Sequence, residues 1–496
     1  MSEPDRFDLI VIGAGPAGAE AAITAAEQGL SVALIDEQPV AGGQVWRAPV
    51  GGFPGKGDIE QASGDRLRER LTGSRVSVFF GHRVWSAVRL ASIEPDRSAA
   101  DALRQERFRV DAVGPTGSRA FTAADLVVAT GAHERVVPFP GWTLPGVVGL
   151  AAATVLLKSH GVAPGRRVVI AGCGPLLLAV AAGLARSGVE LPALADLAHR
   201  GAWLRKLPVL LGQPALAARG GWWVTRTLRA GARLLSGHGV RRAEGRDRVE
   251  RVVLGPVDAD GAPALGPEQA FEVDALVVGH GLTTACEITR MLRAEHRFDR
   301  LRGGWVPRVD ASFQTSIPGL YAVGDGAGVR GQKIASLAGR KAGLVVAASF
   351  RGAAGVDSSA SAAALDPIDR QLALARPFSD AMAALMAQRP AQVAAIGAAT
   401  VVCRCEDVTR SEIDAALSQC AGSLDQLKHF TRCGMGPCQG RYCGDTVQEL
   451  AAIRLGCSRD QVAPWTGRPP LRPVRLAELI GDFSYDDIPI PRPAPL

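Results

Sequence analysis

Apolar runs of two lengths alternate along the first half of the chain. Leu9-Ile10-Val11-Ile12 is an unbroken apolar run, the pattern of a strand covered on both faces. An alanine-rich stretch from Ala19 to Gln28 predicts a helix, and Ser31 to Ile35 predicts a second strand ending at Asp36 and Glu37. The same design recurs at Arg167 to Leu177. Val168 to Ala185 is apolar enough to imitate a membrane span, but Gly172-Cys173-Gly174-Pro175 breaks it into strand, turn and helix. Residues 352–365 are a low-complexity connector, and 367–388 read as helical. Two short helices follow, each opened by a capping box: Thr409 with Glu412, and Ser423 with Gln426. Ile413, Ala416 and Leu417 form the buried face of one, Leu424, Leu427 and Phe430 that of the other. A third helix carries Val447, Leu450 and Ile453. From Pro464 onward the chain is too proline-rich for regular structure and is expected to lie extended along a surface. The pattern predicts an α/β fold: two Rossmann-like dinucleotide-binding domains followed by a small helical domain.

The first turn, Gly13-Ala14-Gly15-Pro16-Ala17-Gly18, carries specific chemistry. Gly13 permits the turn, Gly15 lets the backbone reach a pyrophosphate, and Gly18 lets the helix pack closely on the strand. The phosphates then meet unpaired amides at a helix N-terminus. Asp36, 23 positions beyond Gly13, stands where a ribose-binding acid belongs.

Further segments resemble the thioredoxin-reductase-like family of two-dinucleotide-domain flavoproteins. They are Gly42-Gly43-Gln44, Val127-Val128-Ala129-Thr130-Gly131, and Thr315 through Val323-Gly324-Asp325. The resemblance implies FAD in the first domain. Gln44 and Gly43 would pass beside the flavin ring, Thr130 and Gly131 would lead the chain out of the domain, and Asp325 would meet the ribityl hydroxyls and pyrophosphate. Glu37 and Val84 complete the expected cofactor-contacting set. That family's Cys-x-x-Cys disulfide has no counterpart between residues 1 and 402, which excludes thioredoxin-type chemistry.

The second turn would ordinarily hold NAD(P)H, but Leu177 replaces its third glycine, and a side chain there pushes the helix off its strand. Asp196 remains available to a ribose, and no arginine cluster follows it for a 2′-phosphate. Trp203, Trp222 and Trp223 either line a pocket or pack against neighbours, packing being the commoner fate of such aromatics. A vestigial site, or one for another adenine nucleotide, is expected.

Cys403-Arg404-Cys405 and Cys438-Gln439-Gly440-Arg441-Tyr442-Cys443 lie in an otherwise thiol-poor chain. Four thiolates suit zinc or an iron–sulfur cluster, and the Cys-x-Cys spacing leans away from zinc. Val402 to Thr409 with Gly434-Met435-Gly436-Pro437-Cys438 to Cys443 resembles the bacterioferritin-associated ferredoxin type of domain. That implies a [2Fe-2S] cluster on Cys403, Cys405, Cys438 and Cys443, with Cys433 a competitor for one place. A structural zinc knuckle is the alternative. Cys173, Cys286, Cys420 and Cys457 read as inert core thiols.

The domain plan is therefore 1–135 with 270–350 for FAD, 136–269 for the second nucleotide-type domain, 351–400 as linker, 401–463 for the cluster and 464–496 as tail. A hydrophobic content of 47% and a charged content of 21% describe an ordinary globular protein. The net charge of +7 comes with no dense basic run, which argues against nucleic acid. The chain enters a strand almost at once, leaving no room for a signal peptide, and a cytoplasmic protein with at most peripheral membrane contact is expected.

In this order the parts resemble the FAD-dependent alpha-type subunit of heteromeric bacterial amine dehydrogenases, the group of opine oxidases, D-hydroxyproline dehydrogenase and hydrogen cyanide synthase. The resemblance implies an oxidoreductase acting on CH–NH donors. A D-amino-acid-oxidase-like FAD beta subunit would oxidise the substrate, a small ferredoxin-like subunit would be a further partner, and this chain would relay electrons. No residue reads as a substrate base; His133 and Glu134 look like exposed loop residues. A self-contained NAD(P)H-dependent flavin reductase and a non-catalytic redox scaffold are the alternatives.

Overall fold

The structure is a computed structural model that describes residues 4–50, 59–90, 105–353, 359–419 and 423–480. Strand β1 (Asp5–Ile12), helix α1 (Pro16–Glu27) and strand β2 (Val32–Asp36) form the expected opening unit. Ser77–Phe80, β2, β1 and the long strand Gly117–Val128 lie side by side. Phe108–Gly114 and Arg83–Arg89 extend this sheet antiparallel, and Leu320–Ala322 pairs in parallel with Leu126, Val127 and Val128. Alternation along β1 explains its unbroken apolar run. Leu9 and Val11 enter the core under α1, while Ile10 and Ile12 enter the core on the other face.

Helix Gln332–Ala353 lies against α1 at backbone contact. A Cβ on Gly339 would stand 1.9 Å from the Ala17 carbonyl oxygen, and one on Gly343 2.6 Å from that of Ala21. Only glycine allows this approach, which closes the first domain with a segment over 300 residues downstream.

The second domain repeats the plan with five parallel strands in the order Arg233–Ser236, Ala193–Asp196, Val168–Gly172, Ala275–Gly279 and Val147–Gly149. A three-stranded antiparallel sheet, His238–Glu244, Arg251–Pro256 and Gln269–Glu272, lies beside it. The α/β expectation of two Rossmann-like units thus holds. The chain re-enters the first domain later than position 270, because Ala275–Gly279 pairs with Val168–Gly172.

Residues 359–386 form one helix containing Pro367 and Pro377, so most of the expected linker is a packed element. Its residues Ile368, Leu372 and Ala375 meet Ile334 and Leu337, and Ala381, Met382 and Leu385 meet Ala198. The connector reading falls partly on residues outside those described.

In the C-terminal domain the capping box at Thr409 forms, with the Thr409 amide donating to Glu412 Oε2 at 2.7 Å. Ser423 caps its helix without a side-chain bond. Val447 and Leu450 are buried as expected, but Phe430 and Ile453 are exposed, Ile453 lying in the last turn beyond the buried run Thr446 to Ala452. Residues 464–480 of the expected tail run along the first domain, the Leu471 amide donating to the Trp85 carbonyl at 2.8 Å, with two corrections to the irregular reading, and the rest of the tail lies outside the described residues. Trp465 inserts into the C-terminal core, and Leu476–Ile480 is a short helix lying beyond the prolines.

Candidate flavin and cysteine sites

The first turn is built as a cradle. A Cβ on Gly13 would lie 2.4 Å from the Ala129 carbonyl oxygen, and one on Gly18 would lie 1.8 Å from that of Gly13. Gly15 and Gly43 face each other, a Cβ on Gly43 falling 2.9 Å from the Gly15 Cα. The N-terminus of α1 begins Gly15-Pro16-Ala17 with no side-chain cap and no acid in its first turn, so its amides stay open to an anion. Asp36 Oδ2 accepts from the Ala14 amide at 2.5 Å and Oδ1 from the Gln38 amide at 2.7 Å. Burial pushes the Asp36 carboxyl up, and these amides pull it back. Glu37 is exposed and pairs with Arg472 at 3.5 Å.

Asp325 arrives at the same end of the sheet on a short 3-10 turn, Gly324–Ala327. Its Oδ1 accepts from the amides of Arg330 and Gly331 at 2.9 and 3.0 Å. A Cβ on Gly324 would lie 2.8 Å from that of Ala17, which ties the second flavin motif to α1. Thr130 Oγ1 donates to the Ala285 carbonyl at 2.5 Å, and around Gly131 a Cβ would meet open space. Gln44 Oε1 accepts from Arg47 at 2.9 Å. Val84 stands apart from this cradle, on the edge strand Arg83–Arg89 and packed against the Ile10 core. The open helix N-terminus, paired glycines and positioned acids fit a dinucleotide with a pyrophosphate at its centre.

The second turn is covered by the chain itself. A Cβ on Gly174 would lie 2.3 Å from Met386 Cγ, at the end of helix 359–386. Asp196 Oδ2 accepts from Trp203 Nε1 at 2.8 Å and Oδ1 from the Ala198 amide at 2.9 Å, so this acid, unlike Asp36, is tied to a neighbouring side chain as well as to the backbone. Leu177 is buried in the core with Leu150, Ile170 and Leu184. Trp203 packs beside Met382 and Leu385, whereas Trp222 is exposed.

The cysteines come together in two groups. Cys403, Cys433 and Cys443 are all buried, with their sulfurs within 4.8 Å of one another. Cys433 and Cys443 are 3.9 Å apart. Cys405 is exposed and Cys438 half-buried, and these two thiols hydrogen-bond each other. Hydrogen bonds from Cys433 and Cys443 draw the Cys403 thiol down to about 2, helped by the amides of Gly434 and Glu406 and opposed by burial. A Cβ on Gly436 would lie 2.3 Å from that of Cys405, and one on Gly440 2.4 Å from the Trp465 ring, so both loops need glycine. Five thiols on two tight loops, one already favoured as thiolate, fit a soft metal centre. Cys433, at 0% exposure, is more central than its place in the sequence motif indicates. Away from this domain, Cys173 and Cys286 are buried core thiols as expected, and Cys420 lies outside the described residues.

An ionic seam joins this domain to the flavin side, and the sequence reading missed it. His133 Nε2 and Arg441 Nε both meet Glu287 Oε1, at 3.0 and 2.9 Å. Burial raises the Glu287 carboxyl, but the His133 and Arg441 contacts outweigh it and hold it well below the usual range. Arg441 also donates to the carbonyls of Cys438 and Leu471, at 3.2 and 3.1 Å. Beside it, Asp445 accepts from Arg135 at 2.6 Å and faces Arg459 at 3.5 Å. Glu449 accepts two bonds from Arg300, each 3.2 Å. Glu134 is also no exposed loop residue. Its carboxylate accepts from the Ala151 amide at 2.8 Å, at the start of helix Leu150–His160, and burial lifts it to about 7. The signal available in the sequence was Arg441 itself, a cation inside a cysteine loop.

A family model described as pyridine nucleotide-disulphide oxidoreductase matches residues 7–352, and one described as the sarcosine oxidase A3 domain matches residues 398–482. Fold and site therefore define a two-dinucleotide-domain flavoprotein oxidoreductase with an appended thiol-bearing domain. Over 484 residues the chain is 34% identical to the opine oxidase A subunit of Agrobacterium tumefaciens (strain Ach5), covering 96% of this chain and 92% of that protein. It is 32% identical to hydrogen cyanide synthase subunit HcnB of Pseudomonas protegens over 477 residues, covering 94% and 96%. The chain belongs to this family of opine oxidase and hydrogen cyanide synthase subunits. The crystal structure of L-proline dehydrogenase from P. horikoshii superposes with a TM-score of 0.66 and 21% identity, over 97% of this chain and 81% of that one, a likeness of fold. Among the described residues no helix is long and apolar enough to cross a membrane.

Proposed function

We propose that this chain is the FAD- and [2Fe-2S]-binding electron-transfer subunit of a heteromeric dehydrogenase whose substrate is an amine, an opine or a proline-type amino acid. The partner is a D-amino-acid-oxidase-like subunit whose own flavin oxidises the C–N bond, and a small ferredoxin-like subunit completes the complex in the cytoplasm. The observation that carries this reading is the seam from Thr130 and His133 through Glu287 to Arg441, which holds the cysteine loops against the flavin cradle.

FAD would be held by Gly13, Gly15, Pro16, Ala17 and Gly18 at its pyrophosphate, and by Asp36 with Glu37 at its ribose side. Gly43, Gln44, Thr130, Gly131, Gly324 and Asp325 would line the remainder. Cys405 with Cys438, and Cys403 with Cys443, are the two thiolate pairs for the cluster, and Cys433 packs against the buried pair. When bound, the flavin takes electrons in pairs and the cluster passes them singly, so the two together convert one regime into the other.

The chain's residues supply position and charge. Arg441 holds the Cys438 carbonyl while engaging Glu287, and the Arg135–Asp445–Arg459 group fixes the helix that starts at Gly444. Met386 over Gly174 and Trp203 on Asp196 support a partner subunit, not a nicotinamide at the second turn, as the electron source. Analysis of the purified protein for flavin, iron and acid-labile sulfide tests the cofactor assignment. About two irons and two sulfides per chain, with one FAD, are expected. Stoichiometric zinc without sulfide after anaerobic purification would overturn it.

A further inference from the structure

The segment from Pro464 to Pro473 leaves the C-terminal core and crosses to the first domain, held at both ends. At its start Trp465 Nε1 donates to the Leu424 carbonyl at 2.9 Å, Thr466 Oγ1 donates to Asp425 Oδ2 at 2.7 Å, and Arg290 donates to the Trp465 carbonyl. Beyond it Ser118, on the long strand Gly117–Val128, donates to the Glu478 carbonyl. Between these points Leu471 joins the buried cluster of Ile10 and Ile12, against which Val84 packs. Its amide donates to the Trp85 carbonyl at 2.8 Å, and its carbonyl accepts from Arg441 at 3.1 Å. Prolines at 464, 469, 470 and 473 restrict the segment before it docks, so less conformational entropy is lost when it does.

What the segment crosses is the acid end of the flavin cradle. A dinucleotide with its pyrophosphate at Gly15 and a ribose at Asp36 carries its adenine onward past Asp36. Two stretches of chain border that end. One is Glu37 itself. The other is the turn in which Gly81 and His82 donate their amides to the carbonyls of Gln38 and Asp36, at 3.1 and 3.0 Å, just before strand Arg83–Arg89. The tail meets both borders, Leu471 at Trp85 and Arg472 at Glu37, 3.5 Å away. A second cation, Arg47, lies within reach of the Asp36 and Glu37 charges. It donates to Gln38 and Gln44 at 3.1 and 2.9 Å, while its Nε is buried with no partner. An orphaned buried donor beside two acids fits a polar ligand held there.

We propose that Leu471 and Arg472 form the outer wall of the flavin's adenosine end, so that the tail of the C-terminal domain retains a cofactor bound by the first domain. The inference rests on FAD as the occupant of the first turn. Arg472 is a positioning residue: through Glu37 it holds the strap closed, and the bond from Leu471 to Trp85 fixes its register.

The test is the rate at which full-length, flavin-loaded protein releases FAD after dilution, followed by the fluorescence of free flavin. Arg472→Gln removes a half-exposed ion pair and should speed release about twofold to fivefold. Arg472→Glu sets a like charge against Glu37 and should speed it about tenfold. Arg475→Glu, the same charge change at an exposed position three residues on, should release FAD at the wild-type rate. Metal content should stay at the wild-type level in all three, which reports an intact C-terminal domain. Wild-type release from both Arg472 variants would overturn the strap and leave the FAD assignment standing. Equal acceleration by Arg475→Glu, or metal lost together with flavin from the Arg472 variants, would overturn it too. Purified wild-type protein without FAD would overturn the assignment and the strap together.

Discussion

Five thiols lie on two loops of one small domain, one more than the proposed cluster needs, and their burial sorts them. Cys405 and Cys438 lie outward, while Cys403, Cys433 and Cys443 lie inward beneath Trp465. Replacing Cys438 by serine should remove iron and sulfide yet leave FAD bound, since the flavin cradle is built without these loops. Cys433→Ser should keep both irons and change the electron paramagnetic resonance spectrum, because a thiol in contact with Cys443 is lost. Iron lost from Cys433→Ser but kept by Cys443→Ser would assign the fourth place to Cys433. The motif could show which cysteines exist, but not how a positive-φ turn at Arg432 and Gly434 would swing Cys433 inward.

His280 tests the seam's surroundings by pH. It is fully buried; burial, then Arg135 and Arg389, lower it from 6.5 to about 4, and its Nδ1 accepts from the Val137 amide at 3.2 Å. The folded state therefore refuses a proton that the unfolded chain takes. This contribution is absent above pH 6.5 and costs stability progressively as pH falls toward 4, reaching about 3 kcal/mol by the free energy of a pKa shift. His280→Asn, which keeps an acceptor for Val137, should flatten the fall of melting temperature between pH 7 and 5. An equally steep fall in the variant would refute the assignment.

At the scale of elements, two helix contacts carry the argument. The approach of Gln332–Ala353 to α1 depends on Gly339, so Gly339→Val should destabilise the protein by about 1–3 kcal/mol or more and lose flavin together with stability. A melting temperature within a degree of wild type would contradict this backbone contact. The second is the junction of the C-terminal domain. Asp445 is half-buried between the buried Arg135 and Arg459, and removing the acid leaves uncompensated buried charge on the arginines. Asp445→Ala should cost about 3–5 kcal/mol and expose the cysteine loops to proteolysis before the flavin domains. Simultaneous cleavage of all domains would refute a separable seam.

Element boundaries were legible where periodicity was strong. Both glycine turns, the apolar strands that lead into them and the capping box at Thr409 follow from local pattern. Helix 359–386 was not legible over its first turns, because alanine and serine carry little periodic signal and Pro367 reads as a breaker. Its place over Gly174 depends on tertiary packing at Ala198 and Leu337, which no local pattern encodes.

For the whole molecule, the sequence reading reached the class of fold, and it picked out both glycine turns and the cysteine pairs because each rests on residues close in the chain. The seam that joins them was invisible. His133, Glu287 and Arg441 lie 154 residues apart at each step, and each alone looks like a surface charge. That seam, together with the covered second turn, is the ground on which we propose a relay and not a self-sufficient reductase. Anaerobic stopped-flow absorbance tests this directly. The isolated chain should show no flavin bleaching with NADH or NADPH on a catalytic timescale, and rapid reduction of flavin and cluster once an amine substrate is added together with the partner subunit. Fast bleaching by either nicotinamide in the isolated chain would contradict the account.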